Sequence, residues 1–155
     1  YSSIGHRAYS YKITPRLIAE KPVFGHGTGA YHTEICRVLD DPNDCHIYAW
    51  HSHNQFLYFG ADYGLVGIAI YIALIGSAAR IAWTSPVGAH RLMLLSLVGA
   101  LVADSLINSP LYSARESHFF LYMLALLVVM CRDSTRNQAS DRLPSAEANR
   151  TATPR

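Results

Sequence analysis

Residues 64–83 read GLVGIAIYIALIGSAARIAW, a stretch whose first charge is Arg80 and whose last residue is Trp83. Two further apolar runs follow, RLMLLSLVGALVADSLI at residues 91–107 and HFFLYMLALLVVMC at residues 118–131. Each run is close to the roughly 17–25 residues that a membrane-spanning helix needs, once its flanks are counted. The three runs predict an all-α integral membrane fold.

The composition agrees with a membrane protein. Half of the 155 residues are hydrophobic and 15% are charged, against roughly 25% charged residues in soluble domains. Three core helices of a soluble all-α domain are the alternative, and the length of the runs favours the membrane. The chain opens at Tyr1, without an initiator methionine or a signal peptide. We therefore expect the C-terminal fragment of a multi-span helical bundle.

The basic residues predict the orientation of the three spans. Arg80 and Arg91 border the link between the first two runs, and the tail after the third run holds further arginines: Arg132, Arg136, Arg142, Arg150 and Arg155. Under the positive-inside rule, this link and the tail are cytoplasmic. Residues 1–63 and the link 108–117 are then expected on the outer face.

Three segments follow from these patterns: an outer loop, a block of three spans and a polar tail. Residues 1–63 form an outer loop with short helices, one of them over residues 9–20, where Ile13, Leu17 and Ile18 recur at helical spacing. The spans cover about residues 64–83, 91–107 and 118–131. The polar tail, residues 132–155, is too poor in apolar side chains to bury a core, which predicts a disordered cytoplasmic segment.

Several function classes are disfavoured at this stage. A net charge of +2 with scattered basic residues argues against a nucleic-acid partner. The three cysteines contain no CxxC pair, so a zinc ribbon and a thioredoxin-type site are excluded by spacing. Cys36 and Cys45 remain candidates for a disulfide if their loop faces an oxidising compartment.

The histidines concentrate ahead of the first span, in the segment WHSHNQFLYFGADYGLVG at residues 50–67. His51 and His53 are candidate zinc ligands, with a third ligand to come from Cys45, His46 or Asp62. Their spacing matches no HExxH motif. Metal binding is one of three interpretations of this segment.

The second interpretation makes His53 a general base. A neutral imidazole at the outer membrane surface, oriented by Asn54, can take a proton from a sugar hydroxyl. In the third interpretation, His53 and Asn54 only cap the first spanning helix and satisfy its free backbone amides. The residues alone leave all three open.

Candidate anion-binding groups lie earlier in the chain. Arg7, Lys12 and Arg16 are placed to meet a pyrophosphate, which an arginine can bind through two parallel hydrogen bonds. The glycine-rich GHGTG at residues 25–29 can form an anion nest, but it lacks the lysine of a P-loop. Asp104 is a carboxylate within an apolar run, which indicates a direct or a supporting role in function.

Three motifs then occur in a recognisable order. Arg7 is followed four residues later by Tyr11, and a glycine-rich stretch runs from residue 22 to 31. The pair His53-Asn54 comes next, and Gly64 follows it after nine intervening residues. A second glycine follows Gly64 after two intervening residues, and two more apolar runs come after it. With these motifs, the chain resembles the C-terminal part of the O-antigen ligase and polymerase superfamily of bacterial inner-membrane glycosyltransferases. Relatives commonly carry Glu where this chain has Asp62.

The resemblance implies metal-independent transfer of a glycan from an undecaprenyl pyrophosphate-linked donor to an acceptor hydroxyl on the periplasmic face, without a cofactor. It gives His53 the role of catalytic base, and Arg7 that of the cation that holds the donor pyrophosphate. Substrate contacts are expected at four positions: Asn54, His51, Arg16 and Lys12. The structural motif comprises six: Gly25, Gly27, Gly29, Asp62, Gly64 and Gly67.

The implied partners are the lipid-linked donor, a glycan, lipid or protein acceptor, membrane lipid and upstream transmembrane helices of the same chain. Ligase, polymerase and protein oligosaccharyltransferase are not separated by these motifs, nor are the sugar and the oligomeric state. Two rival functions stay open, a non-catalytic membrane protein such as a transporter or structural subunit and a zinc-dependent membrane hydrolase.

Overall fold

A computed structural model describes residues 3–50 and 52–151. The described residues contain helices and no strand: α1 Ser3–Glu20, α2 Tyr31–Arg37, a 3-10 helix Pro42–Asp44, α3 Cys45–Tyr48, α4 Gln55–Thr84, α5 Ala89–Ile107 and α6 Ala114–Thr151. Three of these are long and apolar enough to cross a membrane, namely α4, α5 and the part Ala114–Gln138 of α6. The predicted fold class, an all-α membrane bundle, is confirmed.

Most of the apolar surface of these three helices faces outward. Only 22% of the most apolar window is buried in α4, 22% in α5 and 11% in α6. Outward-facing apolar helices match a multi-pass membrane protein, because lipid tails or further helices cover such surfaces at no hydrophobic cost.

The helix ends differ from the sequence prediction at two places. The backbone of α4 is helical from Gln55 and bends at Gly64, the residue at which the sequence predicts the first span to start. The backbone of α6 continues to Thr151, past the predicted start of a disordered tail at residue 132. The predicted division of the chain into segments stays a prediction.

Two separate hydrophobic clusters hold the helices together. The first joins α1, α2 and α3 to the start of α4, with the buried side chains Ile13, Leu17, Tyr31, Ile35, Leu39, Tyr48, Ala49 and Ala61. The second joins α4, α5 and α6 near the opposite end of the bundle, with Ala78, Ala82, Leu94, Val98, Leu124 and Cys131. The first cluster therefore places the outer-loop helices against the membrane helix that follows them.

α1 is longer than the sequence predicts and continues through Pro15. A proline inside a helix removes one backbone hydrogen bond, so packing has to stabilise this helix. Ser10, Ile13, Thr14 and Leu17 are fully buried at i, i+3, i+4 and i+7. This buried stripe fixes which sides of α1 remain available to a substrate.

Candidate active site

Asn54 caps the N-terminus of α4. Its backbone is extended, and its side-chain Oδ1 accepts hydrogen bonds from the backbone N–H groups of Phe56 at 2.9 Å and Leu57 at 3.0 Å. An N-cap of this kind satisfies amides that have no partner within the helix. Asn54 thus forms the cap that the third interpretation of the sequence assigned to His53 and Asn54.

The other end of the Asn54 side chain ties three helices together. Its Nδ2 donates to the hydroxyl of Tyr11 at 3.0 Å and to the carbonyl of Leu106 at 3.1 Å, and the Tyr11 hydroxyl also donates to that carbonyl. Asn54 is 6% exposed, and both of its amide atoms have protein partners. Its geometry is that of a positioning residue, and a direct substrate contact by Asn54 stays a prediction.

His53 has a backbone conformation that non-glycine residues rarely adopt. Its φ is 53°, and no other described non-glycine residue has a positive φ. Ser52, which is fully buried, donates from Oγ to the carbonyl of Asn54 at 2.7 Å. Left-handed conformations of this kind cost free energy and persist where the surroundings enforce them. The turn that leads into α4 therefore fixes the backbone of His53.

The surroundings of His53 favour its neutral form. Burial lowers the pKa of the half-buried imidazole, and the positive charge of Arg7 and then His6 lowers it further. A group that is neutral near pH 7 is able to accept a proton, which is the state that a general base needs. His53 and Arg7, 46 positions apart in sequence, are thus brought together as the resemblance requires.

The three candidate cations do not form one cluster. With about 100° per residue in a helix, Arg7 and Arg16 lie about 180° apart around α1. Arg16 donates to Asp40 at 2.8 Å, and Lys12 lies 3.6 Å from the same carboxylate. The Arg16 guanidinium lowers the pKa of Asp40. Arg7 is the cation beside His53, and the predicted substrate contacts of Arg16 and Lys12 stay predictions.

Asp62 organises the glycine-rich loop. Its two carboxylate oxygens accept the backbone N–H of Gly29 at 2.8 Å and of Tyr31 at 2.7 Å, and the side chain is fully buried. The hydroxyl of Tyr31 meets that of Thr14 at 3.4 Å, and burial raises the pKa of Tyr31 to about 12. The carboxylate therefore sets the path of the chain into α2.

The same loop supplies hydrogen-bond partners for the backbone groups of α4 at its bend at Gly64. The carbonyls of Ala61 and Asp62 lose their partners in the helix at this bend, and they accept the loop N–H groups of His26 at 2.9 Å and Gly27 at 2.8 Å. In exchange, the N–H groups of Leu65 and Val66 donate to the loop carbonyls of Pro22 at 2.8 Å and Val23 at 3.2 Å. The bend lies in an apolar helix, where an unpaired backbone group costs several kcal/mol.

Two glycines make this contact possible. A Cβ on Gly64 would lie 2.4 Å from the carbonyl group of Val23, and a Cβ on Gly25 would lie 2.5 Å from the backbone of Asp62. Both also have positive φ. The predicted glycine motif thus includes a close backbone-to-backbone contact. A Cβ on Gly67 would meet the side chain of Tyr63 at 2.4 Å, whereas Gly27 and Gly29 have open space and positive φ.

The link between α5 and α6, predicted to lie on the outer face, completes the site through contacts with α4 that the sequence did not predict. The Oε1 of Gln55 accepts the N–H of Leu111 at 2.8 Å, and Gln55 is fully buried. The rings of Tyr58 and Tyr112 pack edge to face with centroids 5.5 Å apart. No motif marks this contact, because it joins the first turn of α4 to residues 56 positions later.

A disulfide braces the segment that leads to His53. Cys36 of α2 is bonded to Cys45 at the start of α3. The ring of His32 also hydrogen-bonds the carbonyl of Ala49 through Nδ1 at 2.9 Å. These two links attach α2 to the part of the chain that lies just before His53.

Residues 1–72 match the model of the O-antigen ligase family. No curated protein and no solved structure matches the chain. The family match contains every predicted site residue from Arg7 to Gly67, and the predicted resemblance is confirmed.

The family segment does not hold the site together alone. Its Asn54 and Gln55 side chains are bonded to Leu106 and Leu111, which lie beyond residue 72. Helix α5 and the link between α5 and α6 therefore supply part of the scaffold of the candidate site.

Two predicted features of the site are not decided by the geometry. His51 lies outside the described residues. Across residues 3–50 and 52–151, no group of three or more His, Cys, Asp or Glu side chains is arranged to hold a metal ion. Metal-independent transfer stays a prediction.

Proposed function

We propose that this protein transfers a glycan from an undecaprenyl pyrophosphate-linked donor to an acceptor hydroxyl on the periplasmic face of the bacterial inner membrane. The observation that carries the proposal is the pairing of His53, whose pKa is lowered, with Arg7 at the start of a membrane helix. The O-antigen ligase family match over residues 1–72 supports the same chemistry.

His53 acts as the base in this reaction. The imidazole takes the proton of the acceptor hydroxyl, and the hydroxyl oxygen forms a bond to the anomeric carbon of the donor sugar. The bond from that carbon to the pyrophosphate oxygen breaks, and the lipid pyrophosphate leaves with the electron pair. Since the pyrophosphate is a good leaving group, positioning and charge stabilisation are the main demands on the protein.

Arg7 stabilises the departing pyrophosphate. Its Nε is buried and has no hydrogen-bond partner among the described residues. A guanidinium binds phosphate oxygens through two parallel hydrogen bonds. The same positive charge keeps His53 neutral before the reaction, because it lowers the pKa of the imidazole. One arginine therefore serves both the donor and the base.

An apolar groove beside the bend of α4 suits the lipid part of the donor. Phe24, Phe59, Tyr63, Val66 and Ile70 line a groove of about 380 Å³. Phe24 is 76% exposed and Ile70 is 67% exposed. An isoprenoid chain covers such surface favourably, since burial of apolar area is worth roughly 25 cal/mol per Å².

Two observations support an outer, oxidising location for the site. Arginines lie at the opposite ends of the membrane helices, as the positive-inside rule requires of the cytoplasmic face. The disulfide between Cys36 and Cys45 is of a kind that persists in oxidising compartments such as the bacterial periplasm.

The test is glycan transfer by the complete protein in membranes, with His53→Gln compared with His46→Gln. His46 is an exposed histidine of the same segment and serves as the matched control. We expect at least a hundredfold loss for His53→Gln, in line with the contribution of general bases, and little change for His46→Gln. Equal accumulation of both variants in the membrane shows that folding is intact.

Three outcomes would overturn parts of this proposal. Transfer by His53→Gln at the wild-type rate leaves His53 as part of a helix cap only. Activity that a chelator removes and Zn²⁺ restores supports a zinc enzyme. A complete protein that accumulates in membranes but transfers no glycan to any acceptor supports a transporter or structural subunit.

A further inference from the structure

The end of the bundle opposite His53 contains a cavity that the proposed reaction does not use. It has a volume of about 650 Å³, and its lining includes Trp83, Ser85, Arg91, Thr135 and Gln138. α4 has 30 residues, and at about 1.5 Å per residue this end lies roughly 45 Å along the helix from the candidate base. The cavity therefore belongs to the other membrane surface.

Arg91 is the charged group of this cavity. One of its guanidinium nitrogens donates to the carbonyl of Ser85 at 3.3 Å, and its Cζ lies 5.4 Å from the centroid of the Trp83 ring. None of the ion pairs between described residues involves Arg91. A guanidinium has five N–H donors, and the described residues supply an acceptor for one of its nitrogens, the carbonyl of Ser85.

The neighbourhood is positively charged. Up to Gln138, this end of the three helices carries four arginines and one aspartate: Arg80, Arg91, Arg132, Arg136 and Asp133. A smaller cavity of about 150 Å³ shares Arg91 and includes His90. An anion is the ligand that this charge distribution favours.

Apolar side chains lie at the rim of the same cavity. Trp83 is 70% exposed and Val87 is 84% exposed, and both line the cavity. Tryptophan is enriched at the level of lipid headgroups, where its ring contacts both water and hydrocarbon. A ligand that combines an anionic group with an acyl chain matches both halves of this surface.

We infer that this cavity binds the phosphate group of an anionic phospholipid. The guanidinium of Arg91 donates to the phosphate oxygens, and the hydroxyl of Thr135 and the amide of Gln138 face the polar headgroup. Trp83 and Val87 contact the glycerol and the first methylenes of the acyl chains. Basic pockets between membrane helices are suited to such headgroups. This inference does not depend on the proposed transferase activity.

The test measures lipid retention by the complete protein in detergent after exchange with mixed vesicles of phosphatidylglycerol and phosphatidylcholine. We expect the wild type to retain phosphatidylglycerol preferentially. In Arg91→Gln, the ratio of retained phosphatidylglycerol to retained phosphatidylcholine is expected to fall about fivefold, which is roughly the contribution of one cation near a membrane surface. Arg80→Gln is the matched control, because Arg80 lies at the same helix end without lining the cavity.

Each outcome decides the inference. Equal retention of the two lipids by the wild type overturns it, and this comparison needs no variant that might misfold. Loss of preference in Arg80→Gln as large as in Arg91→Gln shows a diffuse charge effect and no site. If excess inorganic phosphate displaces the lipid and itself binds in an Arg91-dependent way, the ligand is free phosphate and the lipid assignment is wrong.

Discussion

The carboxylate of Asp62 accepts the backbone N–H of Tyr31 at 2.7 Å, across 31 positions of sequence. Its second oxygen accepts the N–H of Gly29 at 2.8 Å. These two bonds attach the glycine-rich loop to the first membrane helix. They also explain why a carboxylate is present shortly before the bend in that helix.

Replacing Asp62 by alanine should therefore loosen the loop. Asp62→Ala leaves the N–H groups of Gly29 and Tyr31 without their acceptor, and the orphaned amide of the buried Tyr31 alone costs about 1–3 kcal/mol. We expect a lower unfolding temperature of the purified protein and faster proteolysis between residues 22 and 31. Glu116→Ala, at an exposed position of α6, is the control. Unchanged proteolysis in Asp62→Ala would show that other contacts hold the loop.

The bend at Gly64 offers a sharper comparison within one helix. Gly64→Ala places a Cβ 2.4 Å from the Val23 carbonyl group and forces an alanine into a positive φ. Gly76→Ala adds a Cβ with nothing within 4 Å. We expect Gly64→Ala to destabilise the protein by more than about 2 kcal/mol. Gly76→Ala should be neutral or stabilising by up to about 1 kcal/mol, because alanine favours helices.

Thermal unfolding of the two variants in the same detergent checks this prediction. Equal melting temperatures for Gly64→Ala and Gly76→Ala would mean that the loop and helix separate easily. A selective loss for Gly64→Ala, together with retained membrane insertion, would confirm the close contact of the backbone at residue 64 with that at residue 23.

The sequence was sufficient to predict the membrane helices, because length and hydrophobicity alone determine which segments can span a bilayer. The pairing of His53 with Gly64 along the chain was likewise visible as a motif. The start of α4 at Gln55 could not be predicted from the sequence. Polar residues of its first turns are buried, because they pack against α1 and the α5–α6 link.

The distribution of the cations could not be read from spacing either. Arg7, Lys12 and Arg16 look equivalent in the sequence, and only the buried stripe of α1 decides that they point to different sides. The ion pairs of Lys12 and Arg16 with Asp40 depend on where α2 ends. Contacts between distant segments, which carry no local pattern, account for what the sequence left open.

The disulfide predicts a dependence on the oxidising environment. Cys36 and Cys45 are separated by nine positions, and closing a loop of this size stabilises a protein by about 2–3 kcal/mol in the chain-entropy model. We expect Cys36→Ser and Cys45→Ser to melt at a lower temperature than Cys131→Ala. The loss in each of the two variants should match the loss that reduction causes in the wild type. The measurement is thermal unfolding with and without a reductant.

The reductant supplies the internal control for these variants. It should lower the melting temperature of the wild type and of Cys131→Ala, and leave that of Cys36→Ser unchanged. Thiol alkylation of the untreated wild type should modify Cys131 after denaturation and neither of the other cysteines. Alkylation of all three in protein taken directly from cells would contradict an oxidising location for this loop.

Arg7 and His53 make a prediction about pH that separates charge from geometry. The base must be neutral, so transfer falls as the pH drops through the pKa of His53, which burial and the charge of Arg7 hold below its usual value. Arg7→Gln removes that charge, raises the pKa of His53 and moves the acidic limb of the pH–rate profile to higher pH. Arg7→Lys keeps the charge and should keep the limb in place, while the rate falls because a point charge cannot replace the two-pronged guanidinium. An acidic limb at the same pH in the wild type and Arg7→Gln would show that the arginine does not act on the base.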